Sequence, residues 1–445
     1  MSDVRSAWTL LTFKPTSPSH DIMAFRDMLH GVHCDAEPVS VDLEMFQRAA
    51  ASAEKGLLFE HVIEAPGHKA ALDLLVRERL CDLFSVSPGE LIDVLAWAMV
   101  NPEAPVMVEP SEAEVLQTKQ EEVDLGSIPI PRHYNEDAGR YQSASVIIAE
   151  YEGVRNMSYH RQLLVGNRHC VARFVPRHLR TMYEKAQSNG DEVPIAVVNG
   201  ADATVLLAAA MSFDEDLDEL TVAAALHSRL HNEPLRMVSL PNGITVPADS
   251  EYAMEARITL ELADEGPYVD ITGTVDGVRR EPVIEYDSVY HRSDPIFHAL
   301  ISAGAEHRTL MGMPRAPTIK AAVSKVTDCT DVYMTDGGCG WLSSVVQIRP
   351  RSDEDGIKAI HAALDGHRSM KQVVVVDDDI DIADPSRVEW ALMTRWQPDT
   401  DTVVLTGQKG SSLDPSRNED GTTSKIGMDA TLPLGADRGP YESVL

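Results

Sequence analysis

The sequence predicts a mixed α/β (α+β) fold in three consecutive parts: an N-terminal α/β domain over 1–115, a central split β-barrel over 116–312, and a C-terminal α/β domain over 313–445. Three observations carry this expectation. A chain of 445 residues is too long for one ordinary core. Its middle third is a series of short Val/Ile/Leu-rich segments separated by turn residues, and the flanking thirds alternate helical periodicity with short apolar runs. A hydrophobic content of 43% with 24% charged residues describes a globular chain.

In order along the chain, 41–53 and 69–84 carry apolar residues at helical spacing, with Leu72, Leu75, Val76 and Leu80 on one face of the second. Ser87-Pro88-Gly89-Glu90 has the pattern of a helix start: a capping serine, proline in the first turn and glutamate three residues after the cap. The Pro- and acid-rich stretch 102–115 reads as a connector. Strands are expected at 143–150, 162–165, 171–175, 195–198 and 237–240, with helices inserted at 176–187 and 218–230. That mixture fits a barrel or split sheet with helical insertions better than a βαβ repeat. Beyond residue 313 the pattern gives a helix at 356–365, a doubly buried strand at 372–376 built on four valines, a helix at 388–394, a strand at 402–405 and a flexible polar stretch at 409–421.

The net charge of −31 excludes the basic face that a nucleic-acid partner requires. Eleven lysines against 28 arginines and 70 acidic residues suggest a surface kept soluble in high salt, hence a halophilic source. No apolar run is long enough to cross a bilayer, and the first residues lack a signal-peptide pattern, so a cytoplasmic location is expected. Five cysteines without paired spacing read as reduced thiols. Neither G-x-G-x-x-G after a strand nor G-x-x-x-x-G-K-[ST] occurs.

The chemistry centres on Glu265-Gly266-Pro267-Tyr268-Val269-Asp270, two carboxylates flanking a Gly-Pro bend between expected strands at 256–262 and 269–274. Carboxylates sharing an apolar cavity titrate apart, which suits proton donation near neutral pH. Asn156-Met157-Ser158-Tyr159-His160-Arg161-Gln162 supplies a guanidinium able to hold a carboxylate by two parallel bonds. Asn156, His178 and Glu219 are of the types that bind a hard divalent ion and, through it, a phosphate.

These segments resemble the UbiD-type decarboxylases, which use prenylated FMN. Asn156–Gln162 is similar to the family's N-x-G-x-Y-R-x-Q-like element, with Ser158 for Gly and His160 for Tyr; Val246–Glu251 to V-P-A-x-x-E; and Glu265–Asp270 to E-G-P-[FY]-G-[ED], with Val269 for Gly. Val376–Asp381 and Ser424–Thr431 continue the match. The resemblance implies a flavin-binding barrel with Arg161, Glu265 and Asp270 as catalytic residues, Asp270 donating the proton. It implies cofactor contacts from Ser158, Tyr159, Arg161, Arg177, Met211 and Lys371, with a lesser role for Lys425. It also implies Asn156, His178 and Glu219 as ligands to Mn²⁺ or Mg²⁺, with K⁺ as a further ion.

The implied partners are a carboxylic acid substrate, a flavin prenyltransferase that supplies the cofactor, and further copies of the chain in a dimer or higher homo-oligomer. The chain looks most like compact archaeal members that lack a long C-terminal helix. Some of these convert trans-anhydromevalonate 5-phosphate to isopentenyl phosphate, for which Tyr290-His291-Arg292, His307-Arg308 and Arg315 are candidate phosphate ligands. An aromatic acid of the hydroxybenzoate type is the alternative substrate. A flavin-binding homologue without turnover is the alternative of another class.

Overall fold

The computed structural model describes residues 24–52, 56–211 and 217–441. They form two compact units, one from residues 24–85 and Asn101–His307, the other from Val86–Val100 and Arg308 onward.

The first unit is built on a nine-stranded antiparallel sheet. Its main strands are Tyr141–Gln142 (β1), Val146–Tyr151 (β2), Val154–Tyr159 (β3), Gln162–Gly166 (β4), His169–Ala172 (β5), Val193–Asn199 (β6), Tyr252–Glu265 (β7) and Arg279–His291 (β8). Their spatial order is β1-β4-β5-β8-β7-β6-β2-β3, with Thr118–Lys119 added beside β8. The two edges of this order are joined directly along the chain, β1 leading into β2 and β3 into β4. The sheet must therefore curl until its edges approach, which is a split barrel. The Arg161 segment lies at that seam, between β3 and β4.

Helices His178–Asn189 (α1), Ala203–Ala210 (α2) and Glu219–His231 (α3) are the insertions. The sequence reading finds α1 and α3 but not α2, whose eight residues are all buried and so show no amphipathic period. A separate four-stranded sheet joins His33–Asp35, Leu57–Phe59, Lys69–Leu72 and Ile296–His298.

That small sheet corrects one expectation. Residues 69–84 are not one helix: Lys69–Leu72 is a strand paired with Leu57–Phe59 and Ile296–His298, and the helix is confined to Arg77–Phe84. Asp73 between them has φ +54°, which no helix continues. A four-residue apolar strand followed by an amphipathic helix mimics one helical period. Compactness also groups the chain otherwise than as consecutive segments. Val39, Met45, Phe59 and Leu72 share one core with Ile147, Ile195 and Tyr252 of the barrel, so 24–85 does not pack by itself.

In the second unit a five-stranded sheet runs in the order Asp328–Met334, Ser343–Arg349, Gln372–Asp377, Thr422–Ala430, Thr402–Lys409. The valine strand is central, parallel to both neighbours and buried along Val373–Asp377, as its composition predicts. Adjacent residues of Thr422–Ala430 show that both faces are covered. Gly427 lies against Ile360 of helix Asp355–Gly366, so close that a Cβ would stand 2.1 Å from a methyl. Met428 packs instead with Val388 and Ala391 of helix Pro385–Arg395.

The capping signal at residue 87 is realised: the Glu90 carboxylate accepts from the Ser87 N–H at 2.8 Å and the Ser87 hydroxyl at 2.6 Å, and the helix runs Pro88–Val100. The stretch 409–421 is anchored, not free. Ser411 and Asp414 are buried, and they accept from the Trp341 indole and the Lys371 amine, each at 3.0 Å. All five cysteines are free thiols. No single described helix is long and apolar enough to cross a membrane.

Asp355, at the head of its helix, accepts from the N–H groups of Arg351 and Ser352 and from the hydroxyls of Ser352 and Thr327. Burial raises its pKa, but these donors together outweigh it and hold the carboxyl down at about 2. A depressed carboxyl stabilises the fold above its unfolded pKa of about 3.9, and that stabilisation is lost as pH falls through about 2. Asp355→Asn is expected to cost about 1–3 kcal/mol near neutrality in urea unfolding. The deficit should shrink between about pH 4 and pH 2.

Candidate active site

Arg161 emerges from the β3–β4 connection with 8% of its side chain exposed. Its Nε and Nη2 donate to the two oxygens of Glu265, both at 2.9 Å. Its Nη1 donates to Asp270 Oδ2 at 2.6 Å, and Nη2 also to Asp276 Oδ2 at 2.8 Å. The Tyr268 ring covers the guanidinium at 4.7 Å. Burial alone would lower the Arg161 pKa. The bonds to Glu265 and the charges of all three carboxylates reverse that and raise it above its ordinary value.

The carboxylates converge because of local backbone. Glu265 ends β7 opposite Arg279 of β8 and is wholly buried, with the Tyr141 hydroxyl donating to it at 3.3 Å. Gly266 follows at φ +95°, where a Cβ would lie 2.8 Å from the Gly277 carbonyl; only glycine fits. After the cis Gly266–Pro267 bond, Tyr268–Val269 pairs with Val275–Asp276 as a tight hairpin. That hairpin corrects the longer strand expected over 269–274. It sets Asp270 and Asp276 at either end of one turn, both reaching Arg161.

Asp276 escapes the sequence reading because Asp276-Gly277 looks like an ordinary turn. Its signal is a second arginine: Arg279 donates to both its oxygens, at 2.7 and 2.6 Å. Burial raises the Asp276 pKa, and Arg279 and Arg161 together bring it below the usual carboxylate range.

Glu265 has both oxygens held by Arg161 and is 0% exposed, whereas Asp270 is 14% exposed. Asp270 receives one bond from Arg161 and one, at 2.6 Å, from the Ile271 N–H. Asp270 is therefore the more accessible and less constrained of the two.

On β3, Asn156 Nδ2 donates to Glu219 Oε1 at 3.0 Å, and the Met157 N–H donates to Glu219 Oε2 at 3.0 Å. Burial pushes Glu219 up to about 7 against the pull of the Met157 N–H. Glu219 opens α3 and His178 opens α1, and both helices pack on β3. Asn156 and Glu219 are thus in contact, and His178 stands at the head of a helix on the same strand.

Ser158 Oγ lies 2.8 Å from Asn156 Oδ1 and 3.0 Å from His160 Nε2, while His160 Nδ1 lies 3.0 Å from the Arg173 carbonyl. Burial lowers His160 to about 4 against the opposing bond to Arg173, so the imidazole is neutral at pH 7 and carries one proton. A carbonyl can only accept, so that proton belongs on Nδ1. The Ser158 hydroxyl thus has one proton and faces two acceptors, Asn156 Oδ1 and His160 Nε2. An amide oxygen that accepts one bond keeps a second lone pair, and beside a buried carboxylate it is a donor set that suits a hard cation.

The Tyr159 hydroxyl is buried without a hydrogen-bond partner among the described residues, and burial, with Glu306 adding, holds its pKa well above the ordinary value. Such an orphan polar atom is what a bound polar ligand would satisfy. Met211 is buried at the end of α2, and Arg177 caps α1. Lys371 belongs to the other unit, where its amine bonds Asp414 and Ser416, and Lys425 there donates to the Arg368 carbonyl at 2.5 Å.

Most of the candidate phosphate ligands have partners within the protein. Arg292 donates to the Asp249 carbonyl and the Glu114 carboxylate, the Tyr290 hydroxyl donates to Glu255, and the His307 imidazole accepts from the Ala303 N–H. His291 Nδ1 lies 2.7 Å from the Arg292 carbonyl. Arg308 and Arg315 belong to the other unit, where Arg315 lies over Trp341.

Comparison with known proteins bears on the chain as a whole. Residues 106–305 match the family model of the 3-octaprenyl-4-hydroxybenzoate carboxy-lyase Rift-related domain, and 308–430 that of the corresponding C-terminal domain. The anhydromevalonate phosphate decarboxylase of Methanosarcina mazei is 42% identical over 401 residues, 89% of this chain and 92% of its own. That of Archaeoglobus fulgidus is 41% identical over 407 residues, 90% and 92%. Among solved structures, the UbiD-class enzyme HmfF from Pelotomaculum thermopropionicum in complex with FMN superposes with a TM-score of 0.89 at 31% identity, covering 95% of this chain and 97% of that one. An evolved dimeric form of HmfF in complex with prFMN gives 0.86 at 30% identity, covering 94% and 96%.

Removing the buried cation leaves Glu265 and Asp270 without a charge partner, whereas Asp276 keeps Arg279. Arg161→Gln is expected to cost about 3–5 kcal/mol in urea unfolding at pH 7. The deficit should narrow at lower pH as the stranded carboxylates take up protons. A loss no larger than that of an exposed arginine would show that the cluster is held together in some other way.

Proposed function

The chain belongs to the UbiD family of carboxy-lyases, and on that premise we propose that it is a prenylated-FMN-dependent decarboxylase converting trans-anhydromevalonate 5-phosphate to isopentenyl phosphate and CO₂. The observation that carries this reading is that five archaeal relatives named for anhydromevalonate phosphate decarboxylation share 39–43% identity with it. The same relatives support an archaeal source, and the charge of −31 supports a high-salt habitat.

Prenylated FMN, when bound, supplies an electron sink for the carbon that loses CO₂. The chain's own residues do the rest. Arg161 fixes Glu265 through both oxygens and holds Asp270 by a single arginine bond, so Asp270 is the group positioned to deliver a proton to the vacated carbon. Tyr268 roofs the guanidinium and keeps water from competing for it. Tyr159, Ser158, Arg177 and Met211 contact the cofactor. Asn156 Oδ1, Glu219 and His178 hold Mn²⁺ or Mg²⁺ for its phosphate, with K⁺ as a further ion. A flavin prenyltransferase provides the cofactor, and the protein works as a homo-oligomer in the cytoplasm.

The test is co-expression with a flavin prenyltransferase and manganese, identification of the bound flavin by mass spectrometry, and CO₂ release from anhydromevalonate phosphate alongside hydroxybenzoates. Prenylated FMN with release from the phosphate substrate alone is the expected result. Release only from an aromatic acid would transfer the reading to that class. Bound cofactor without release from any acid would mark a homologue that lacks turnover.

A further inference from the structure

A second cluster of ligating groups lies on the helical insertion, apart from Arg161. After β6 the chain enters α2 with Asp202 as its cap, Oδ1 accepting from the Thr204 N–H at 2.9 Å. The other oxygen, Oδ2, lies 2.9 Å from His231 Nε2. His227 and His231 are four residues apart on α3 and so share one face, their rings 4.4 Å apart. Asp202 and His227 are 3% and 4% exposed. One ligating atom from each of the three residues lies within 4.8 Å of the other two.

The arrangement is not closed by its own hydrogen bonds. His227 Nδ1 stands 3.4 Å from Asp202 Oδ1 and makes no hydrogen bond among the described residues. An unpaired nitrogen at this depth costs about 1–3 kcal/mol, which a bound cation would relieve. A tetrahedral N/O site with bonds of about 2.0–2.1 Å sets its ligand atoms roughly 3.3–3.4 Å apart. The separations, 3.4 Å from His227 Nδ1 to Asp202 Oδ1 and 2.9 Å from His231 Nε2 to Oδ2, set each imidazole beside its own carboxylate oxygen, at that spacing or inside it. The carboxyl end of α3 further favours positive charge.

We propose that Asp202, His227 and His231 bind a borderline divalent transition ion of the Zn²⁺ class, with water as the fourth ligand, as a clamp joining the head of α2 to the tail of α3. The clamp is distinct from the Asn156/Glu219 pair, which lies eight residues along α3, about 12 Å, and offers oxygens that suit harder ions. Its role is structural. It fixes the far end of the helix whose first residue, Glu219, contacts Asn156.

The experiment uses the full chain without a histidine tag, stripped with chelator and titrated with Co²⁺. Visible d–d bands are expected to saturate at one equivalent, to vanish on adding Zn²⁺, and to accompany a rise in Tm. His227→Gln and His231→Gln should each weaken Co²⁺ binding about 100-fold. Glu219→Gln should leave the bands in place. Proton NMR of the cobalt-loaded wild type keeps the test independent of how the variants fold, and should show two hyperfine-shifted imidazole N–H signals. Absence of bands, bands that survive both histidine substitutions, bands lost in Glu219→Gln, or fewer than two shifted N–H signals would overturn the proposal.

Discussion

Arg161 is the constraint on which the central unit depends. A guanidinium in so enclosed a position persists only if anions surround it. The chain supplies three, from the end of β7 and the two ends of one hairpin. Those groups reach it because Gly266 takes a backbone conformation closed to other residues and because the chain reverses tightly between Asp270 and Asp276. The barrel seam, the bend and the hairpin are thus one device. Its chemical consequence is an asymmetry between two carboxylates, one gripped on both oxygens and one held by a single arginine bond.

The residues that depart from the family pattern form the next layer. Ser158 and His160 stand where glycine and tyrosine are usual, and together they make a hydrogen-bonded relay from the Arg173 carbonyl to Asn156. The Ser158 hydroxyl donates to the Asn156 oxygen while the Asn156 amide donates to Glu219, so the side chain's orientation is fixed from both ends. Burial keeps the imidazole at the other end of the relay neutral.

Much of this was legible in the sequence, for local reasons. The Gly-Pro bend, the Ser87–Glu90 helix start and the four-valine strand each rest on the chemistry of a few adjacent residues, and each stands in the structure. What was not legible depends on distant partners. Lys69–Leu72 reads as helix until Ile296–His298 pairs with it, more than two hundred residues away. The polar stretch 409–421 reads as flexible until Lys371 and Trp341 bond Asp414 and Ser411. Asp276 joins Arg161 only through a hairpin whose existence depends on pairing with Tyr268. The Asp202/His227/His231 cluster gave half a signal, two histidines at i and i+4, but the aspartate comes from another helix.

The most direct test of the account asks which group protonates the product. A single turnover of cofactor-loaded enzyme on anhydromevalonate phosphate in D₂O should give isopentenyl phosphate with one deuterium on the vacated carbon. With Asp270→Asn the account predicts at most one equivalent of CO₂ and no deuterated product, with cofactor still bound. Deuterated product formed by Asp270→Asn at the wild-type rate would contradict the assignment of Asp270 as the acid presented by Arg161.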